Sequence, residues 1–174
     1  VSTGKGLNSI NIDRLNSTSI IDETTVDEEN NQLTNKQLKI FDVYALDEKL
    51  WIGSAESLSD YKVSDKSIKH YRPKWLDKKE EFKVYSITSI EKSSLWLGTS
   101  VGTLSFNIES EKFEYSQSLR PHSIKERTHL VKNINGSLLI GTASELFIHS
   151  PTFKTTQSYL KSKKNTKGVN FGLT

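Results

Sequence analysis

The chain has 174 residues, a formal net charge of +3, 34% apolar side chains and a mean hydropathy of −0.54. So thin a supply of apolar material excludes a single deep core and favours many short strands sharing small ones. The charge is too mild to imply nucleic acid. No apolar run approaches the ~18 residues that span a bilayer, and the lack of cysteine removes disulfides, thiolate nucleophiles and Cys-ligated metals.

Charge is uneven along the chain. Residues 1–31 hold six acids against Lys5 and Arg14, and from Lys154 onward there are five lysines and no acid. Both ends read as solvated. There is no methionine, so Val1 reads as a processed end or a cut inside a longer protein.

In chain order, Ile40, Val43 and Ala45 alternate as a strand does, and a polar turn follows at Asp47-Glu48-Lys49. Leu50-Trp51-Ile52-Gly53-Ser54 comes next. It recurs as Leu95-Trp96-Leu97-Gly98-Thr99 and, with Leu139 for the Trp, as Leu138-Leu139-Ile140-Gly141-Thr142; the glycines stand 45 and 43 residues apart. Each copy is preceded by an alternating stretch and a turn, the third at Asn133 to Gly136, where Asn-Gly suits a tight hairpin. A strand then opens on Leu58, Leu104 or Leu146, and a short aromatic one closes each copy: Ile68 to Tyr71, Phe113-Glu114-Tyr115, and Phe153 onward. Leu104 lies one residue further from its motif than Leu58 and Leu146 do, which reads as an insertion. Val1-Ser2-Thr3 fits the tail of an earlier copy, with Ser2 at the glycine position and Leu7 in the frame of Leu58.

Four antiparallel strands in a period of roughly 45 residues is the pattern of a β-propeller blade. The motif strand is continuously apolar, as expected where both faces of a sheet are covered. Its glycine marks close approach to a neighbouring backbone. Trp51, Trp96 and Leu139 are expected at equivalent buried sites between blades, with Gly53, Gly98 and Gly141 beside them. The expected fold is all-β. It divides into a partial blade and polar excursion over 1–37 (16–37 matching no repeat), blades at 38–83, 84–128 and 129–168, and the first strand of another at 169–174. The chain is expected to be an open arc from a longer protein rather than a four-bladed ring closed by residues 169–174 on residues 1–3.

At these residues the sequence resembles the two-component regulator propeller family, whose repeats carry a Leu-Trp-Ile-Gly-Thr strand, a Gly-Leu shortly after, and a Phe-x-x-Tyr-like strand. Lys5-Gly6-Leu7, Gly102-Thr103-Leu104 and Phe113-Glu114-Tyr115 echo the last two. The resemblance implies an extracytoplasmic sensor segment, tethered through a membrane segment outside this chain. It would bind a small molecule or oligosaccharide and pass the signal to a separate output domain. The alternative is a non-catalytic scaffold for protein–protein interaction or dimerisation. Its expected partners are such a ligand, the remaining blades of the parent protein and a second copy as a homodimer, with no nucleic acid and no direct membrane insertion.

No catalytic constellation is present in the sequence. His70, His122, His129 and His149 lack metal-ligand spacing, Gly4-Lys5-Gly6 lacks the frame of a phosphate loop, and no serine lies in a nucleophile elbow. No enzyme activity, cofactor or metal is expected. The links after the fourth strands, Arg72-Pro73-Lys74-Trp75 and Arg120-Pro121-His122, emerge beside the turns that follow the motif glycines. Arg and Trp suit carboxylates and sugar rings, so Arg72, Trp75, Arg120 and His122 are the candidate ligand-binding residues. The plainer reading has Trp75 packed on the blade edge and both arginines solvated.

Overall fold

The computed structural model describes residues 2–3, 6–11, 16–115, 119, 126–152 and 155–161. Among these there is no α-helix; strands follow one another in four antiparallel sheets. The first sheet joins β1 (Ser2–Thr3), β2 (Gly6–Asn11) and β3 (Asn16–Ile21). The second joins β4 (Ile40–Leu46), β5 (Lys49–Ser54), β6 (Leu58–Lys62) and β7 (Ile68–Tyr71). The third comprises β8 (Val84–Thr88), β9 (Ser94–Thr99), β10 (Gly102–Asn107) and β11 (Lys112–Tyr115). The fourth comprises β12 (Thr128–Ile134), β13 (Ser137–Thr142), β14 (Glu145–Ser150) and β15 (Thr155–Lys161). In every four-stranded sheet the spatial order is the chain order, so each is an up-and-down blade.

The motif strands β5, β9 and β13 sit inside their sheets, and alternate residues serve opposite neighbours. Trp51 points forward, toward the third sheet; its ring lies 5.9 Å from Tyr71 and 5.6 Å from Phe106. Ile52 points back into a cluster with Leu7, Ile21 and Ile40. Trp96 points forward to Val131, Leu138, Ile140 and Phe147 of the fourth sheet, while Leu95 and Leu97 point back to Trp51 and Leu58. Coverage on both faces explains the continuous apolar run. Leu139 departs from the expected pattern: it is half-buried, whereas Trp51 and Trp96 are buried. Its side of β13 meets no further sheet among the described residues, because the forward neighbour of a blade is always the next one along the chain.

The glycines explain themselves on the same face. A Cβ on Gly53 would lie 2.6 Å from the carbonyl oxygen of Val84, and one on Gly98 would lie 2.9 Å from that of Thr128. Both oxygens belong to the first strand of the following sheet. The Ser or Thr that follows closes the turn to the next strand. The hydroxyl of Ser54 donates to the carbonyl of Ser57 (3.1 Å), that of Thr99 to Gly102 (2.6 Å) and that of Thr142 to Glu145 (3.2 Å). At the opposite end, β12 and β13 join through Asn135 (φ 50°) and Gly136 (φ 82°), the left-handed pair that a tight hairpin requires.

The register corrects two sequence expectations. Gly53 opposes Leu58, Gly141 opposes Leu146 and Ser2 opposes Leu7; Gly98 opposes Thr103 at the same offset. The third sheet therefore holds no insertion. Thr103 occupies the forward leucine position and meets the Thr128 hydroxyl at 3.0 Å, while Leu104 points back into the preceding core. Residues 16–21, read as part of an excursion, form strand β3 and pair with β2. Their Ser/Thr-rich composition hides a strand whose anchor is its last residue, Ile21, buried in the first inter-sheet core.

Residues 22–39 lie over the second sheet. Val26 bridges Gln32, Asp27 accepts the N–H groups of Glu29 and Asn31, and the N–H of Glu28 donates to the carbonyl of Ile68 on β7 (3.1 Å). Leu33 and Leu38 fill the core below. The segment thus covers part of an outer edge that would otherwise offer free backbone groups.

The first strands β4, β8 and β12 run side by side, and each carries a β-bulge at the same place, between Ile40 and Asp42, Val84 and Ser86, and Thr128 and Leu130. The residue after the bulge reaches across to the next first strand. Asp42 accepts from the N–H of Ile87 (2.7 Å), and Ser86 both donates to the carbonyl of Val131 (3.0 Å) and accepts its N–H (3.2 Å). The bulged residues themselves are Phe41, Tyr85 and His129, whose rings follow one another at 5.3 and 5.0 Å.

Candidate functional site

Arg72 follows β7 and turns inward. Its guanidinium donates to the carbonyls of Asp77 (2.9 Å) and Glu80, reaches Glu56 O at 3.5 Å, and lies 5.7 Å over the Phe82 ring. The cation is spent on main-chain oxygens of the link between sheets, where it pins the turns at Pro73 to Leu76 and Asp77 to Glu80. Arg72 thus holds its own link and also lines the groove beside Trp75.

Trp75 is different. It is 49% exposed, and its ring sits 5.1 Å from that of Tyr115 on β11, tilted by 33°. The two outer strands β7 and β11 frame an open groove of about 470 Å³ with Trp75 on its wall. Arg120 and His122 lie outside the described residues, so of the four candidates Arg72 and Trp75 are brought together here.

The groove wall joins two sheets through charge. Lys69 pairs with Glu111 at 2.6 Å, and the Tyr71 hydroxyl lies 3.3 Å from both Glu111 and Asp60, whose carboxylate also takes Lys49 at 2.5 Å. The Lys69 hydrogen bond holds the Glu111 carboxyl below its usual range, and that same bond raises the Lys69 ammonium. Burial, reinforced by the Asp60 and Glu111 charges, pushes the Tyr71 hydroxyl up, so it stays a neutral donor. Sequence reading passed over Lys69, Glu111 and Tyr115; the signal was the shared outer-strand position of Tyr71 and Tyr115.

A serine–histidine contact also exists. Ser59 Oγ lies 2.6 Å from His70 Nδ1, and Ser57 links it to Ser54 through contacts of 3.2 and 3.3 Å. Burial lowers the His70 pKa and keeps the ring neutral. Ser57 and Ser59 are 4% and 2% exposed beneath the second sheet's cover, so no substrate carbonyl reaches them. The geometry stabilises the blade and does not present a nucleophile.

No protein-family model and no curated protein sequence matches the chain. Solved structures do. The chain aligns over 97% of its length, with TM-score 0.67 and 16% identity, to the extracellular domain of BT4673 from B. thetaiotaomicron, described as a one-component system in one structure and as a hybrid two-component system in another. It aligns over 93%, with TM-score 0.64 and 15% identity, to the extracellular domain of BT3049 from the same organism, described as a hybrid two-component system. PorZ, a surface component of the type-IX secretion system of Porphyromonas gingivalis, aligns over 72% with TM-score 0.50 and 9% identity. The chain spans about a fifth of the length of the first two proteins and 16% of PorZ. The fold is thus that of consecutive β-propeller blades. BT4673 and BT3049 are proteins of the kind that the repeat resembles.

Proposed function

We propose that the chain is a ligand-sensing segment of β-propeller from an extracytoplasmic receptor of two-component type. It would bind a small molecule or oligosaccharide, with any kinase or cyclase in a part of the parent protein separate from this chain. The observation that carries this reading is Trp75: a large ring left half-exposed on an open groove, braced by Tyr115 and flanked by the Lys69–Glu111 pair. An exposed aromatic beside a few fixed polar groups is the usual make-up of a small-ligand site. The likeness to extracellular domains of two-component systems supports the setting. Trp51 and Trp96 are buried, so quencher-accessible tryptophan emission reports on Trp75. Ligand should protect that emission from acrylamide, and Trp75→Ala should abolish binding. Binding unchanged by Trp75→Ala would overturn the assignment.

A second reading, a blade scaffold that docks protein, draws on one face of the fourth sheet. Register places Leu130 (38% exposed) and Ile134 (45%) on the side of β12 and β13 that carries Leu139. In the preceding sheets that side is covered by the next blade, so the remaining blades of the parent protein are its proposed occupant. A second copy of the chain would instead make it a dimer face, which sedentation of the isolated chain by equilibrium ultracentrifugation tests.

A further inference from the structure

We infer that Phe41, Tyr85 and His129 form a saccharide-stacking row across three successive blades, separate from the Trp75 groove. A β-bulge leaves its extra residue unpaired and re-aims that side chain, which is why bulges gather at barrel rims and beside binding sites. Here the bulge recurs at one repeat position in β4, β8 and β12, and each time the extra residue carries a ring. Propensity does not explain this, because histidine is no strand former.

Core packing does not explain it either. None of the three rings belongs to a buried inter-sheet cluster; Phe41 and Tyr85 are half-buried and His129 is exposed. The row is nonetheless held firmly. The residues that follow Phe41 and Tyr85, namely Asp42 and Ser86, bond each first strand to the next, so ring spacing is set by the blades. Ring centroids stand 5.3 and 5.0 Å apart, and neighbouring planes are tilted by 45° and 39°.

That tilt selects the ligand. A flat heterocycle lies on one ring and leaves the others, whereas pyranose rings are puckered, carry C–H bonds on both faces, and follow a stepped surface in a linear chain. The Tyr85 hydroxyl and the His129 ring nitrogens have no hydrogen-bond partner among the described residues and are free to meet sugar hydroxyls. Lys39 lies 5.9 Å over Phe41 and closes that end of the row with a donor. The assignment stands whether or not the chain belongs to a receptor.

The test is titration of the full chain, ¹³C-labelled in its aromatic side chains, with maltotriose, cellotriose and xylotriose, and with adenosine as a flat control. At least one trisaccharide should shift the Tyr85 and His129 ring signals saturably. Tyr85→Ala should weaken that binding about tenfold, the usual scale for loss of one stacking platform. His129→Ala, at an exposed position where folding is not at stake, should also weaken it, and Tyr159→Ala, which removes an exposed ring on β15 outside the row, should leave it unchanged. Three results would each overturn the inference: no ring shift with any trisaccharide at millimolar concentration, shifts with adenosine alone, or sugar binding kept at full strength in both Tyr85→Ala and His129→Ala.

Discussion

The Asp42 carboxylate accepts a hydrogen bond of 2.7 Å from the main-chain N–H of Ile87, 45 residues further on and one blade away. The same offset links Ser86 to Val131 and the N–H of Asn133 to the Thr88 hydroxyl. One sequence period therefore equals one step between first strands, and the side chains that make the step are polar.

Burial raises the Asp42 pKa, with the bonds from Ile87 and Val43 opposing it. Asn keeps an acceptor for Ile87 without the charge, so Asp42→Asn should change stability by less than about 1 kcal/mol at neutral pH. Asp42→Ala strands a donor and should cost about 1–3 kcal/mol. The sign of the pH effect follows from the raised value. The folded state holds this proton more tightly than the unfolded state, so wild type should gain on Asp42→Asn as pH falls from the folded pKa toward 3.8. Urea titrations at several pH values check this, and a gap that widens against wild type on acidification would refute it.

Trp51→Ala should cost about 3–5 kcal/mol, because the ring is 1% exposed and touches two aromatic neighbours. Leu139→Ala, at the corresponding but half-buried position, should cost no more than about 2 kcal/mol. Denaturant midpoints of the two variants give the comparison, and equal losses would show that the sites are equivalent after all.

For the motif glycines, the nearest atom to an added Cβ decides the order. Gly53→Ala meets a backbone oxygen of the next sheet at 2.6 Å, Gly98→Ala one at 2.9 Å, and Gly141→Ala a leucine Cβ at 3.3 Å. The first two should cost about 1–3 kcal/mol through forced separation of blades, with Gly53 the worse, and Gly141 should be the mildest. Thermal melting of the three variants ranks them.

Glu111 lies below its normal pKa chiefly through Lys69, so this pair supports the fold above pH ~4.5 and its support is lost as pH falls through the depressed value. Both side chains are exposed by about two-fifths, which limits the benefit to under about 1 kcal/mol. Glu111→Gln should lose that amount at low salt and nothing at 1 M salt. A loss that persists in high salt would assign the effect to the Tyr71 hydrogen bond instead.

The blades were legible because their strongest signals are local: Trp51 and Trp96 beside glycines, Asn-Gly at a hairpin, aromatic residues closing each period. What the sequence concealed depends on facing. Thr103 and Leu104 look like an inserted residue until the register shows them serving opposite neighbours. Strand β3 hides in Asn16 to Ile21 because an outer strand needs few apolar residues. Phe41, Tyr85 and His129 share a repeat position, yet three different ring chemistries do not register as a motif. Arg72 was legible as notable, but its acceptors are carbonyls of its own link, which composition does not reveal.

Because Trp51 and Trp96 each bury themselves in the following sheet and never in the preceding one, adhesion between blades has a direction. Every unit carries a plug on one side and a socket on the other, and the polar 45-residue step travels with them. The whole period is therefore the unit in which such a stack is lengthened or shortened, provided that the cut falls at the same phase of the repeat. Free energy in such a stack is a sum over adjacent pairs, so damage at the Trp51 junction leaves the Trp96 junction standing, and the chain comes apart joint by joint.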